Sequence, residues 1–175
     1  MMLAEAMRML YGYHRWATDR IFDTATQLTP EQFNAPGTAG RGSIRQTLVH
    51  LIQTQKGWVS WWDGSLPAEE AVRVRLDMGE NPELAEIGRG WDAVTEQTET
   101  FTNRLSEEEL AQLYPFPRPG NSEGTMPLWQ KMLHVANHGT QHLSEVAAML
   151  TSYGHSPGDL DFLFYALQAP QHTGQ

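Results

Sequence analysis

Apolar side chains recur every three or four positions along four long stretches of the chain, which is the period of a helix buried on one face. The first stretch, about residues 2–28, puts Leu3, Met7, Leu10, Ala17, Ile21 and Leu28 on one face. Thr29-Pro30 ends it or opens a short extra turn through Gln32. After a loop of small residues from Asn34 to Gly42, Ser43 and Gln46 have the S-x-x-Q spacing of a capping box, which predicts a second helix over 44–63. Its buried stripe is Ile44, Leu48, Leu51, Ile52, Trp62 and either Trp58 or Val59. Residues 64–80 have no clear period. Asn81-Pro82 reads as N-cap and first residue of a third helix over 82–105, with Ile87, Trp91, Val94 and Phe101 inward.

Ser106 and Glu109 have capping-box spacing for a short helix to about Leu113. From Tyr114 to Met126 the prolines and glycines forbid a long helix, so a brief strand pair or an irregular crossover is expected. Pro127 stands at the first turn of a fourth helix over 127–153, with Gly154 as the residue that ends it. A short helix in PGDLDFLFYALQ closes the chain, and QAPQHTGQ is expected to fray. No stretch alternates with period two. The pattern predicts an all-α fold, a four-helix bundle with short extra helices, as one domain over 1–175.

Composition narrows the function. The formal charge of -9 leaves no basic stripe to neutralise phosphates, which argues against nucleic acid and anionic membranes as partners. There is no cysteine, so disulfides, thiolate metal sites and a cysteine nucleophile are excluded. Any thiol in the chemistry arrives from outside. The first residues have no signal-peptide h-region and nothing reaches a membrane-spanning length, so a cytoplasmic protein is expected.

The chemistry sits in LHVANHGTQHLSEVAA, where His134, His138 and His142 follow one another at four-residue steps. Neighbours at that spacing lie on one helical face and can aim two imidazoles at one point. A third ligand must come from elsewhere, and His50, on the margin of the second helix's apolar stripe, is the candidate. His138 and His142 lie nearer the apolar arc of Val135, Leu143 and Val146, and Gly139 removes bulk between them, so His134 is the outer member. Glu145 could orient His142 or act as a remote base, but its default is a solvated face. His14 is by default core or surface, although it could lie near the metal, while His155 and His172 flank a loose tail. The H-E-x-x-H peptidase pattern fails because residue 139 is Gly, and no E-x-x-H pair supports a di-iron site. Three imidazoles suit zinc or nickel, and also iron or copper. An open site of this kind leaves room for a small-molecule substrate, and with no cysteine in the chain a metal-activated external low-molecular-weight thiol is the leading enzyme reading. Metal-dependent hydrolysis, or a non-catalytic metal- or ligand-binding bundle linked to stress, are the alternatives. Trp58, Trp61 and Trp91 exceed what one small bundle needs inside, which suggests a homodimer.

YGYHRWATDRIFD, SIRQTLVHLIQTQKGWVSWWDG, MPLWQKMLHVANHGTQHLSEVAAML and PGDLDFLFYAL together resemble the DinB-like family, also called the DinB/YfiT-like metalloenzymes, in order and over nearly the whole chain. The resemblance implies an up-down-down-up bundle, often a homodimer, with a divalent metal on His50, His138 and His142. It also implies kinship with transferases that use low-molecular-weight thiols and with a mycothiol-dependent isomerase. Where relatives often have H-R-G-Q at the last histidine, this chain has His142-Leu143-Ser144-Glu145.

Overall fold

All four periodic stretches are helices in the structure, a computed structural model that describes residues 2–37, 39–75, 79, 81–117 and 123–168. Of the tail expected to fray, Gln168 is the last residue of a helix, and residues 169–175, with His172, lie outside the described residues. The order is α1 (Leu3–Ala25), α2 (Pro30–Asn34), α3 (Ile44–Trp62), α4 (Ala68–Ala71), α5 (Leu84–Arg104), α6 (Glu107–Ala111), β1 (Leu113–Pro117), β2 (Glu123–Pro127), α7 (Leu128–Ser152) and α8 (Phe162–Gln168). The all-α expectation holds, with one small antiparallel hairpin pairing Leu113 with Pro127 and Tyr114 with Met126.

Local chemistry sets the boundaries. Thr29, Ser43 and Ser106 each accept from the backbone three residues on, and Gln32, Gln46 and Glu109 return the bond, so three helices start on complete capping boxes. Two expected starts move. Helix α5 begins after Glu83, whose box partner is Glu86, and not at Asn81-Pro82. Pro127 is the N-cap of α7 and also the last residue of β2, so the hairpin runs straight into the helix. Gly154 ends α7 with φ +86°, a conformation that costs a residue with a Cβ.

Cross-helix contacts fix the relative directions of the long helices. The Tyr11 hydroxyl donates to the Met132 carbonyl (3.1 Å), while His14 lies against Gly139, so α1 and α7 run the same way. Gln55 meets Thr98 and Trp62 stacks on Phe101, so α3 and α5 also run together. Trp91 donates to Asp19 and Arg8 reaches the Thr102 carbonyl, which sets α5 antiparallel to α1. His50 faces His138 while Trp58 faces His134, which sets α3 antiparallel to α7.

The apolar interior forms two clusters. One contains Ile21, Ile44, Leu48, Ile52, Trp91 and Leu150, and the other Met7, Tyr11, Val59, Phe101, Leu110 and Met132. Between them each long helix contributes buried polar side chains: His14, Gln55, Thr95, Thr98 and His142. Hydrophobic burial in the two clusters carries the stability, which leaves the middle layer available for polar work.

The aromatic surplus noted in the sequence is mostly used inside. Trp91 is 3% exposed, and Val59, at 0%, holds the core position that Trp58 also offered. Trp58 packs against Trp61 and Trp62, and the buried Lys131 ammonium lies over the Trp61 ring at 4.4 Å while donating to the Pro115 carbonyl. Exposed apolar side chains are scattered at Met2, Val72, Leu113 and Leu133, and α8 groups four more, Phe162, Leu163, Phe164 and Leu167. Among the described residues no helix is long and apolar enough to cross a membrane.

Candidate metal centre

The spacing that puts His138 and His142 one turn apart on α7 brings their rings to the face that meets α3, where His50 points back at them. His50 Nε2 lies 3.2 Å from His138 Nε2, and His142 Nε2 is likewise 3.2 Å from His138 Nε2. One nitrogen from each of the three lies within 4.8 Å of the others. Two nitrogens bound tetrahedrally to zinc at ~2.0–2.1 Å stand about 3.3 Å apart. The donor set therefore has the spacing of ligands around a single ion, with no rearrangement of the helices. A hydrogen bond explains the geometry less well, because one His138 nitrogen faces two others and a neutral ring has a single N–H to share.

The second nitrogen of His142 is also committed. Its Nδ1 lies 2.6 Å from Glu145 Oε2, and Gln141 donates to the other carboxylate oxygen at 3.2 Å. Partial burial opposes the Glu145 charge, but the hydrogen bonds from His142 and Gln141 and the nearby imidazoles outweigh it and hold the carboxyl below its ordinary range. An ionised Glu145 only accepts, so Nδ1 carries the proton and Nε2 is the nitrogen that the neutral ring turns toward His138 and His50. Glu145 is thus not the solvated side chain that the sequence suggested; it orients a candidate ligand. The signal was present in its three-residue spacing from His142, which places the two on adjacent turns.

Desolvation, then the neighbouring His142 and His50, lowers the His138 pKa to about 4. Desolvation, followed by repulsion from Arg41, His142 and Arg75, also lowers that of His50. Both rings are held neutral near pH 7, the form that ligates.

His134 is exposed and meets Trp58 with ring centroids 5.9 Å apart, so it is the outer member as expected. His14 falls nearer the site than its default reading. It is 2% exposed, sits edge-on to Trp91, and its Nε2 fills the space a Cβ on residue 139 would take. Among the described residues that nitrogen has no hydrogen-bond partner. Gly139 clears room for His14 of α1 as well as bulk between its neighbours.

On its α3 side the centre opens into a cleft of about 800 Å³, within the usual range for small-molecule sites. Its lining includes His50, Trp58, Trp61, Arg41, Arg45 and Arg75. The far wall depends on Gly57, where a Cβ would collide with the Ala71 carbonyl, so only glycine lets the segment from α4 to Val74 close against α3. The three arginines were not singled out from the sequence. Their only trace there is a polar stripe, Gln46, His50, Gln53, Gly57 and Trp61, beside the apolar stripe of α3.

The sequence profile of the DinB family matches residues 2–173. Protein DinB of Bacillus subtilis (strain 168) is 26% identical over 157 residues, which covers 89% of this chain and 91% of the relative.

Proposed function

The chain belongs to the DinB family, and from that membership we propose that it is a divalent-metal-dependent enzyme that activates a low-molecular-weight thiol at His50, His138 and His142. The observation that carries the reading is the convergence of three imidazole nitrogens at ligand spacing, one of them oriented by Glu145. A divalent ion held there, zinc or nickel before iron or copper, supplies Lewis acidity that lowers the pKa of a bound thiol or water. The chain's own residues do the rest. The three imidazoles are held neutral or tautomer-fixed, so they offer lone pairs. Trp58 and Trp61 give the cleft apolar surface beside His50, against which the carbon body of a thiol can pack. With no cysteine in the chain, the thiol comes from solution and enters through the cleft beside His50.

Thiol activation is favoured over hydrolysis because Glu145, the carboxylate beside the ligands, is engaged with His142 and Gln141 and is poorly placed to take a proton from water. The test is cobalt substitution followed by addition of thiols and then electrophiles. A thiol-dependent change in the visible spectrum with thioether formation supports the proposal. Hydrolysis of esters or amides without a thiol points to the hydrolase, and a spectral response without any turnover points to a binding protein.

A further inference from the structure

Among the described residues, the side chains that line the cleft beside the histidines carry a charge opposite to that of the whole sequence. The chain has 12 Lys and Arg against 21 Asp and Glu, yet three guanidiniums, Arg41, Arg45 and Arg75, line one cavity. No Asp or Glu lines it among the described residues, and the described ion pairs leave these arginines out. A cluster of like charge has a cost in self-repulsion, and a concave low-dielectric wall strengthens its field.

The scaffold also fixes the backbone that carries these arginines. The Arg41 backbone N–H donates to Thr47 Oγ1 at 3.0 Å, which ties the loop before α3 to the first turn of that helix. Gly40, with φ +72°, brings the loop so close that a Cβ would press on Thr47 and on Glu145 Oε2. Arg45 rides on α3 itself. Arg75 follows the segment that Gly57 admits against α3, and its guanidinium donates to the Val74 carbonyl at 2.8 Å. Three separate pieces of chain thus bring arginines to one mouth. Trp58, Trp61 and His50 line the same cleft.

We propose that this cleft binds a small organic anion, with a carboxylate or phosphate on Arg41, Arg45 and Arg75, its apolar body over Trp58 and Trp61, and its reactive end at His50. The guanidinium fork matches the paired oxygens of either anion, and charge-assisted bonds in a partly enclosed cleft outweigh those on an open surface. The inference rests on the metal-site reading for its reactive end alone; anion capture stands without it. It gives the proposed site a substrate class: anionic thiols, or anionic electrophiles, in preference to neutral ones.

Titration calorimetry on the zinc-loaded protein tests this with three probes: mercaptosuccinate, glycerol 2-phosphate and the neutral 1-thioglycerol. Saturable binding of one or both anions is expected, and comparison of the two tells carboxylate from phosphate. Arg45→Gln and Arg75→Gln should each weaken the anions by about tenfold or more, with 1-thioglycerol unaffected and zinc content unchanged. Raising the salt concentration should weaken the anions alone. Equal binding of mercaptosuccinate and 1-thioglycerol overturns the proposal. So does anion affinity that ignores both arginine substitutions, or no saturable binding of either anion. His50→Ala separates the two readings: loss of zinc with glycerol 2-phosphate still bound and still sensitive to Arg45→Gln upholds the anion site, whatever the metal does.

Discussion

The imidazole of His14 on α1 occupies the volume that the first side-chain carbon of any other residue would need at Gly139 on α7. One residue before Gly139 is His138, so a single close approach of two helices sets how α7 presents its histidines to α3. Gly139→Ala should therefore do more than add a methyl group. We expect about 1–3 kcal/mol of destabilisation in chemical denaturation, typical of an overpacked core, together with weaker metal retention. Adding His14→Ala should recover much of the loss, because the clash disappears. Simple additivity of the two substitutions would argue that they do not meet.

The histidines themselves separate by substitution. His50→Ala, His138→Ala and His142→Ala should each lower metal affinity sharply in a chelator competition while the far-ultraviolet circular dichroism stays helical. His134→Ala, at an exposed ring packed on Trp58, should change affinity little. A dependence on His134 as strong as that on His142 would move the centre one turn along α7.

Glu145 acts through His142 Nδ1 at 2.6 Å. Its replacement by Ala should cost about 10–100-fold in metal affinity, the usual effect of removing a carboxylate that orients a ligand histidine. Glu145→Gln, with a carbonyl oxygen still able to accept, should cost less. The imidazole nitrogen shifts of His142 would report the tautomer directly, and a ring unchanged by Glu145→Ala would end the orienting role.

The buried His14 makes the metal-free protein sensitive to acid. Desolvation, assisted by His138, lowers its pKa from 6.5 to about 4. The fold thus favours the neutral ring, and the unfolded chain binds the proton first. The contribution is complete above pH 6.5 and is lost as the pH falls through about 4. The full shift corresponds to roughly 3 kcal/mol. Carboxylates protonate over part of the same range, so the readout is a difference: urea midpoints of His14→Gln should fall less steeply than those of the natural chain between neutral and acid pH.

A homodimer is expected from the apolar side chains that α8 leaves exposed, and light scattering at micromolar concentration reads it. Leu163→Glu and Leu167→Glu should shift the mass toward the monomer. A monomer in the unsubstituted protein would show that α8 has another role.

Much of this is written in short-range sequence. The capping boxes at Ser43 and Ser106, the apolar period of the long helices and the four-residue histidine steps all depend on neighbours within one or two turns, and all appear where expected. The misses depend on distant or alternative partners. Asn81-Pro82 is the better start by residue preference, but the Glu83–Glu86 pair makes the cap. Trp91 reads as surplus until Asp19, 72 positions away, takes its indole N–H at 2.8 Å. Gly139 is explained by α1, and the arginine cleft exists only once the segment after α4 folds onto Gly57. Glu145 was legible by spacing, but whether its carboxylate turns toward His142 or toward water is a rotamer choice that the sequence leaves open.

The division of the interior into two apolar clusters with a polar midsection has a consequence for cooperativity. We expect each cluster to loosen more readily than the whole molecule unfolds, because the layer between them contributes little hydrophobic adhesion, and hydrogen exchange reads this. Partial openings of that kind lie below the free energy of complete unfolding and expose amides half a molecule at a time. An ion held by His50 of α3 and by His138 and His142 of α7 would act at the seam. By mass action it stabilises only those states in which both helices are seated, so loading the site should fuse two exchange-competent halves into one unit.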